Sequence, residues 1–224
     1  MNARVPDVPR LTGVLLADDP ASWSAAGFVV DDGCVQVGPV TVVLGSASAT
    51  PQLAFDRAHP TGAAHLDGVL WTVRPASTAV APAHPNGIDG FDHLVITAPS
   101  LERVREAVTG AGFEIRRERA TRIAGTDATQ LFAFAGGVLL EIAAMTAPSE
   151  VAAVGAEPAT VWGISLTAPD IDATAAWFGD DCGPVNQAVQ PGRRIATVRH
   201  RNLGLSMSLA LMTARRRGPT GDQQ

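Results

Sequence analysis

The chain has 224 residues, 46% of them hydrophobic and 17% charged, which is enough for one large or two small domains with a real core. A net charge of −5 leaves no electrostatic footprint for nucleic acid, and no apolar run is long enough to span a membrane. Every one of the 17 basic residues is arginine and there is no tyrosine, which excludes Schiff-base chemistry on a lysine and a phenolic general acid.

The first third begins with GVLLADDP (13–20), a strand that ends at Asp19, with Pro20 placed to open a helix. ASWSAAGF (21–28) is the expected short helix. CVQVG (34–38) and VTVVLG (41–46) are two strands around a turn, and GVLWTV (68–73) is a candidate fourth. Cys34 and Cys182 are far apart and lack a paired motif, so free thiols in a cytoplasmic setting are expected. The opening MNARVPDVPR has no apolar core of a signal peptide. RPASTAVAPAHPNG (74–87) reads as a linker.

Next comes HLVITAPSLE (93–102), an apolar strand, a TAP triplet and a helix start at Ser100. Leu101, Val104, Val108 and Ala111 recur at helical spacing, and Gly110 and Gly112 stop the helix. FEIRRER (113–119), QLFAF (130–134) and VLLEIAAM (138–145) follow as strands, the last two joined by AGG. RRERATR (116–122) suits a charged strand edge that resists aggregation. TAPSEVAAVGAEPAT (146–160) is a second linker. The pattern then repeats. GISLTAPDID (163–172) superposes TAP on TAP, with Asp170 at the cap. A faint strand around NQAVQ (186–190) precedes the hairpin of RRIATVRH (193–200) and LSMSLALM (205–212). TARRRGPTGDQQ (213–224) reads as a frayed polar tail.

Repeated βαβββ units with histidine on a first strand and glutamate on a last strand resemble the vicinal oxygen chelate superfamily. That group includes glyoxalase I, the extradiol dioxygenases, methylmalonyl-CoA epimerase and the bleomycin and fosfomycin resistance proteins. The residues that carry the resemblance are DHLVITAPSLERV (92–104), AGF (111–113) and GGVLLEIAA (136–144). It is clearest over 90–146, fainter over 160–213 and faintest over 10–75. More narrowly, the chain looks like glyoxalase-like proteins of actinobacterial type with a degenerate N-terminal unit.

The resemblance implies an α+β fold in which tandem βαβββ units form a cupped mixed sheet. The expected division is a degenerate unit over 10–75, well-formed units over 88–146 and 160–213, and a flexible tail over 214–224. It also implies a divalent metal (zinc, iron, manganese or nickel) held by His93 and Glu141, with Glu141 as the candidate catalytic carboxylate. Such an ion chelates adjacent substrate oxygens and stabilises the charge that develops on them. Imidazole and carboxylate are chemically suited to these ions.

Two protein ligands are few for tight binding. Gly163 stands at the second copy's histidine position and Ser208 is aligned with Glu141, and neither supplies a third. His59, His65, His84, Gln190, His200 or a partner chain are the remaining sources. Glu141, set between VLL and IAA, must otherwise be paired, for instance with Arg116, Arg119 or Arg194, because an unpaired buried carboxylate is costly. His93 has a bland reading as a half-buried histidine bonded to backbone or water.

For substrate, Arg194 in QPGRR (190–194) could grip a carboxylate or phosphate, and Trp162 beside Gly163 could form an apolar wall. The same arginines also suit a solvated hairpin.

The function implied is a metal-dependent lyase, isomerase or dioxygenase on a small oxygenated molecule. The alternative is a metal-free binding or sequestration protein of the bleomycin-resistance type. The other expectations are a small-molecule partner, no nucleic acid, no membrane, a cytoplasmic setting and a homodimer, the last suggested by the unpaired third unit. No nucleophile elbow, phosphate loop or Ser-His-Asp arrangement is present to support nucleophilic catalysis.

Overall fold

The computed structural model describes residues 8–123, 125–145 and 157–215. The protein is α+β, with two mixed sheets among the described residues.

The first sheet is built from β1 (Leu11–Leu15), β2 (Cys34–Val37), β3 (Val40–Val43), β4 (Gln52–Phe55), β5 (His65–Leu66) and β6 (Val69–Val73), in the order β2-β3-β1-β4-β6-β5. A short helix, α1 (Pro20–Ala25), follows β1; Asp19 caps it by accepting from the Ala21 N–H at 2.9 Å. β1 runs parallel to β3 and β4 runs parallel to β6, while β1 and β4 pair antiparallel at the centre. The degenerate N-terminal region therefore contains two shortened copies of the motif. The first keeps its helix and three strands; the second keeps three strands and no helix. The Gln52–Phe55 and His65–Leu66 strands were not expected from the sequence.

The second sheet contains the two full units. The first comprises β7 (Gly90–Ala98), α2 (Leu101–Gly110), β8 (Ile115–Ile123), β9 (Thr126–Ala135) and β10 (Val138–Met145). The second comprises β11 (Thr160–Thr167), α3 (Ile171–Phe178), β12 (Asn186–Gln187), β13 (Arg194–Val198) and β14 (Ser208–Met212). Strand order is β12-β13-β14-β11-β7-β10-β9-β8. In each unit the first strand lies parallel to the last, and the two first strands, β7 and β11, meet antiparallel. The β9–β10 hairpin turns at Gly136, whose φ of +69° is a conformation glycine adopts without steric cost.

Alternation along the strands divides each face. Leu94 and Ile96 of β7 and Leu140 and Ile142 of β10 are fully buried in the apolar core, as are Val104 and Val108 of α2. His93, Val95, Leu139 and Glu141 line the other face, which is concave. Three β-bulges interrupt the alternation on that concave side. β7 carries Asp92 as an extra residue against Ser165 and Leu166 of β11. β11 carries Trp162 as an extra residue against Val95 and Ile96, and β8 carries Arg116 against Phe132 and Ala133. A bulge bends its strand and re-aims the side chains beside it.

Candidate functional site

The concave face encloses a cavity of about 930 Å³. His93 projects from β7 into this space, 7% exposed. Glu141 projects from the adjacent β10, two residues beyond the partner of His93 in the parallel register. Their side chains converge, with His93 Nε2 3.9 Å from Glu141 Oε2.

Each of the two is fixed from behind. Asp92 Oδ1 lies 2.8 Å from His93 Nδ1. Asp92 is buried, which pushes its pKa up, but the hydrogen bonds from His93 and Arg193 outweigh this and hold it well below the ordinary carboxylate range. An ionised Asp92 accepts, so in the neutral ring Nδ1 carries the proton and Nε2 turns its lone pair to the cavity. Arg193 grips Asp92 with both terminal nitrogens, Nη1 to Oδ1 at 3.2 Å and Nη2 to Oδ2 at 2.5 Å, and its Nε donates to the Thr213 carbonyl at 2.9 Å. Glu141 Oε1 accepts from Gln130 Nε2 on β9. Gln130 Oε1 in turn accepts from Arg119 Nε of β8 at 2.9 Å. Glu141 thus reaches Arg119 through an intervening amide.

Asp92, Arg193 and Gln130 were not singled out in the sequence. Strict alternation places Asp92 on the face opposite His93, and only the bulge overturns that. Arg193 immediately precedes β13 and Arg194 begins it, and the expected substrate grip fell on Arg194. Arg193 lines the cavity, whereas Arg194 pairs with Asp172 of α3 on the helix side, at 2.7 and 2.6 Å. Trp162 lines the cavity and is 57% exposed, pushed out by its bulge.

The register also corrects the alignment of the two units. Glu141 pairs with Val95, and the counterpart of Val95 in the TAP alignment is Ser165, which pairs with Ala210. Ala210, not Ser208, therefore occupies the position of Glu141. Gly163 leaves no open space beside Trp162, because a Cβ there would meet the Ser208 carbonyl oxygen at 2.7 Å and its Cβ at 2.9 Å.

The other histidines are engaged elsewhere. His84 accepts from the Val29 N–H at Nδ1 and faces the Gln36 carbonyl with Nε2, both at 3.0 Å. His59 packs edge-on against Trp71, His65 accepts from the Gly68 N–H, and His200 begins a 3-10 turn over His200–Leu203. Gln190 does line the cavity. Among the described residues, no three His, Cys, Asp or Glu side chains are arranged so that all three could hold a metal ion. His93 and Glu141 fit a divalent ion as two of its ligands, in donor type and in separation, and the other positions would fall to oxygens from outside the chain.

Cys34 and Cys182 are both free thiols, and burial pushes the Cys182 pKa up. Among the described residues no helix is long and apolar enough to cross a membrane. Residues 216–224 of the expected tail lie outside the described residues.

No family model matches the sequence, and no curated protein matches it. Solved structures do match the fold. A triple mutant of 4-hydroxymandelate synthase from Streptomyces coelicolor aligns over 97% of this chain and 94% of its own, with a TM-score of 0.61 and 14% identity. A xylose isomerase-like TIM barrel/4-hydroxyphenylpyruvate dioxygenase fusion protein aligns over 94% of this chain and 50% of its own, with a TM-score of 0.57 and 12% identity. At such identities the likeness speaks for the fold, and with βαβββ units paired through their first strands around one cup, the chain has the fold of the vicinal oxygen chelate superfamily.

Proposed function

We propose that the protein is a metal-dependent enzyme acting on a small oxygenated molecule, with His93 and Glu141 as the protein ligands of one divalent ion. One observation carries the reading. His93 Nε2 and Glu141 Oε2 face each other at 3.9 Å in a half-enclosed cavity. An imidazole nitrogen and a carboxylate oxygen at that separation can share one divalent ion.

The surrounding residues suit that role. Asp92 fixes the tautomer and orientation of His93, and Gln130 occupies one oxygen of Glu141 so that the other faces the imidazole. Ser165, on the strand facing His93, is buried and lines the cavity, where its hydroxyl can hydrogen-bond a ligand. Trp162 and Phe132 offer flat apolar surface and exclude water from bound substrate. The ion, when bound, would supply Lewis-acid polarisation of substrate oxygens. Lyase, isomerase and dioxygenase chemistry all draw on that same step. The free thiols of Cys34 and Cys182 support a reducing, cytoplasmic setting.

Metal analysis of the purified chain, reconstituted with zinc, iron(II), manganese or nickel, tests the reading. One ion per chain is expected, lost in both His93→Ala and Glu141→Ala. A chain that retains no ion under any of these conditions overturns it. The second reading, metal-free binding of a small molecule, is favoured by Gly163 and Ala210 standing where further ligands would be. It would gain from ligand binding that is unchanged by chelator and by Glu141→Gln.

A further inference from the structure

The charge of the cavity opposes that of the chain. The protein carries a net −5, yet Arg116, Arg117, Arg119, Arg193 and Arg215 line the cavity against the single carboxylate of Glu141. Two of the five arginines are matched. Arg193 is neutralised by Asp92, and Arg116 lies 3.0 Å from Glu114. Among the described residues, the other three have no carboxylate to themselves. Arg119 bonds only a neutral amide, Gln130, and its guanidinium lies 6.0 Å from the ring centre of Phe132. Arg215 lies 5.8 Å from the ring centre of Phe134 and 3.6 Å from Asp92 Oδ2, an oxygen that Arg193 already holds at 2.5 Å. Arg117 is exposed on the same wall, and among the described residues its side chain makes no hydrogen bond or ion pair.

We infer that this wall, formed by Arg117, Arg119 and Arg215 over Phe132 and Phe134, is a binding site for the carboxylate or phosphate of a small molecule with a flat apolar body. This deepens the reading above, and rests on it for the role of the molecule bound. Two cations with no carboxylate partner among the described residues, and a third that shares Asp92 with Arg193, concentrate positive potential in one concave, partly apolar space. Guanidinium forks match the planar oxygens of a carboxylate and the oxygens of a phosphate. The two phenylalanines alternate along β9 on one face, so Arg119 and Arg215 each rest above an aromatic surface that can also accept the body of the ligand. Gln130 joins the wall to the His93–Glu141 pair, because its amide bonds Arg119 on one side and Glu141 on the other. A ligand held by its anionic group would thus reach that pair with its remaining polar atoms.

Calorimetric titration of the full chain with 1-naphthoate, 1-naphthyl phosphate and neutral 1-naphthalenemethanol tests this, in buffer with EDTA and again with metal supplied. In EDTA at least one anion should bind about tenfold more tightly than the alcohol, the worth of a charge-assisted hydrogen bond. The tighter of the two anions names the group. Raising the salt should erode the preference. Arg117→Glu should remove most of it, and since the Arg117 side chain has no partner among the described residues the variant should unfold at the same temperature as the parent; Arg119→Gln should remove a further part. Equal binding of all three molecules overturns the inference. So does a preference that survives Arg117→Glu and Arg119→Gln and vanishes in EDTA, which would place the anion on the metal. A chain that binds no metal yet keeps the preference would sink the metal reading alone.

Discussion

Asp92 touches His93 because β7 gains one residue against β11 at that point, bringing two consecutive side chains together where a regular strand would part them. The arrangement has an energetic consequence. Asp92 and Arg193 are both buried, and each is the other's counterion. Asp92→Ala leaves Arg193 buried without its counterion and should cost about 3–5 kcal/mol in urea unfolding. The double variant Asp92→Ala/Arg193→Ala should cost less than the sum of the singles, the signature of a coupled pair.

The same carboxylate sets an acid limit. Its folded pKa is depressed below the ordinary 3.8, so it contributes stability above that value and loses the contribution as pH falls from 3.8 toward the folded value. Unfolding free energy measured down through the acid range should fall more steeply in the parent than in Asp92→Asn.

His84 acts in the opposite sense to a histidine with an acidic partner. Burial lowers its pKa from 6.5, against a smaller raising effect of its bond to the Gln36 carbonyl. The unfolded chain then binds the proton more readily, so the stability His84 gives is complete above about pH 6.5 and declines as pH drops toward the folded value. His84→Gln should flatten that slope. His59, lowered chiefly by burial, shares the direction and should preserve part of it.

Gly163 is a packing residue. In Gly163→Ala the new methyl meets the Ser208 carbonyl at 2.7 Å, so the β11–β14 pair must separate. A loss of about 1–3 kcal/mol in thermal or chemical unfolding is expected. Adding Ser208→Gly should restore only a fraction, because the nearer obstruction is backbone.

Gln130 is expected to position Glu141. Gln130→Leu removes the bond to Oε1 and separates Arg119 from the carboxylate. Metal affinity should fall about tenfold to a hundredfold, as for other losses of a group that orients a ligand. Glu141→Ala should abolish it. Unchanged affinity in Gln130→Leu would show that Glu141 does not need its neighbour.

The tandem units were legible in the sequence because the TAP triplets mark the same strand-to-helix junction twice and the apolar periods on either side agree. The inward placement of His93 and Glu141 on neighbouring strands was implied by the family resemblance, not by the residue pattern alone. Three things were not legible, each for a physical reason. Bulges have no composition of their own, so Asp92, Trp162 and Arg116 could not be re-aimed in advance. Register between parallel strands depends on a pairing that alignment by apolar pattern can misplace by two residues, as it did between Ser208 and Ala210. Gln130 carries no charge and stands eleven residues from Glu141, so only the β9–β10 pairing reveals their contact.

The claim that His93 and Glu141 share one ion is tested most directly by anomalous diffraction from crystals grown with cobalt(II) or manganese(II). The expected result is one strong peak between His93 Nε2 and the Glu141 carboxylate, absent from His93→Ala crystals. A map with no peak there, or with the ion held only by other residues, would contradict it.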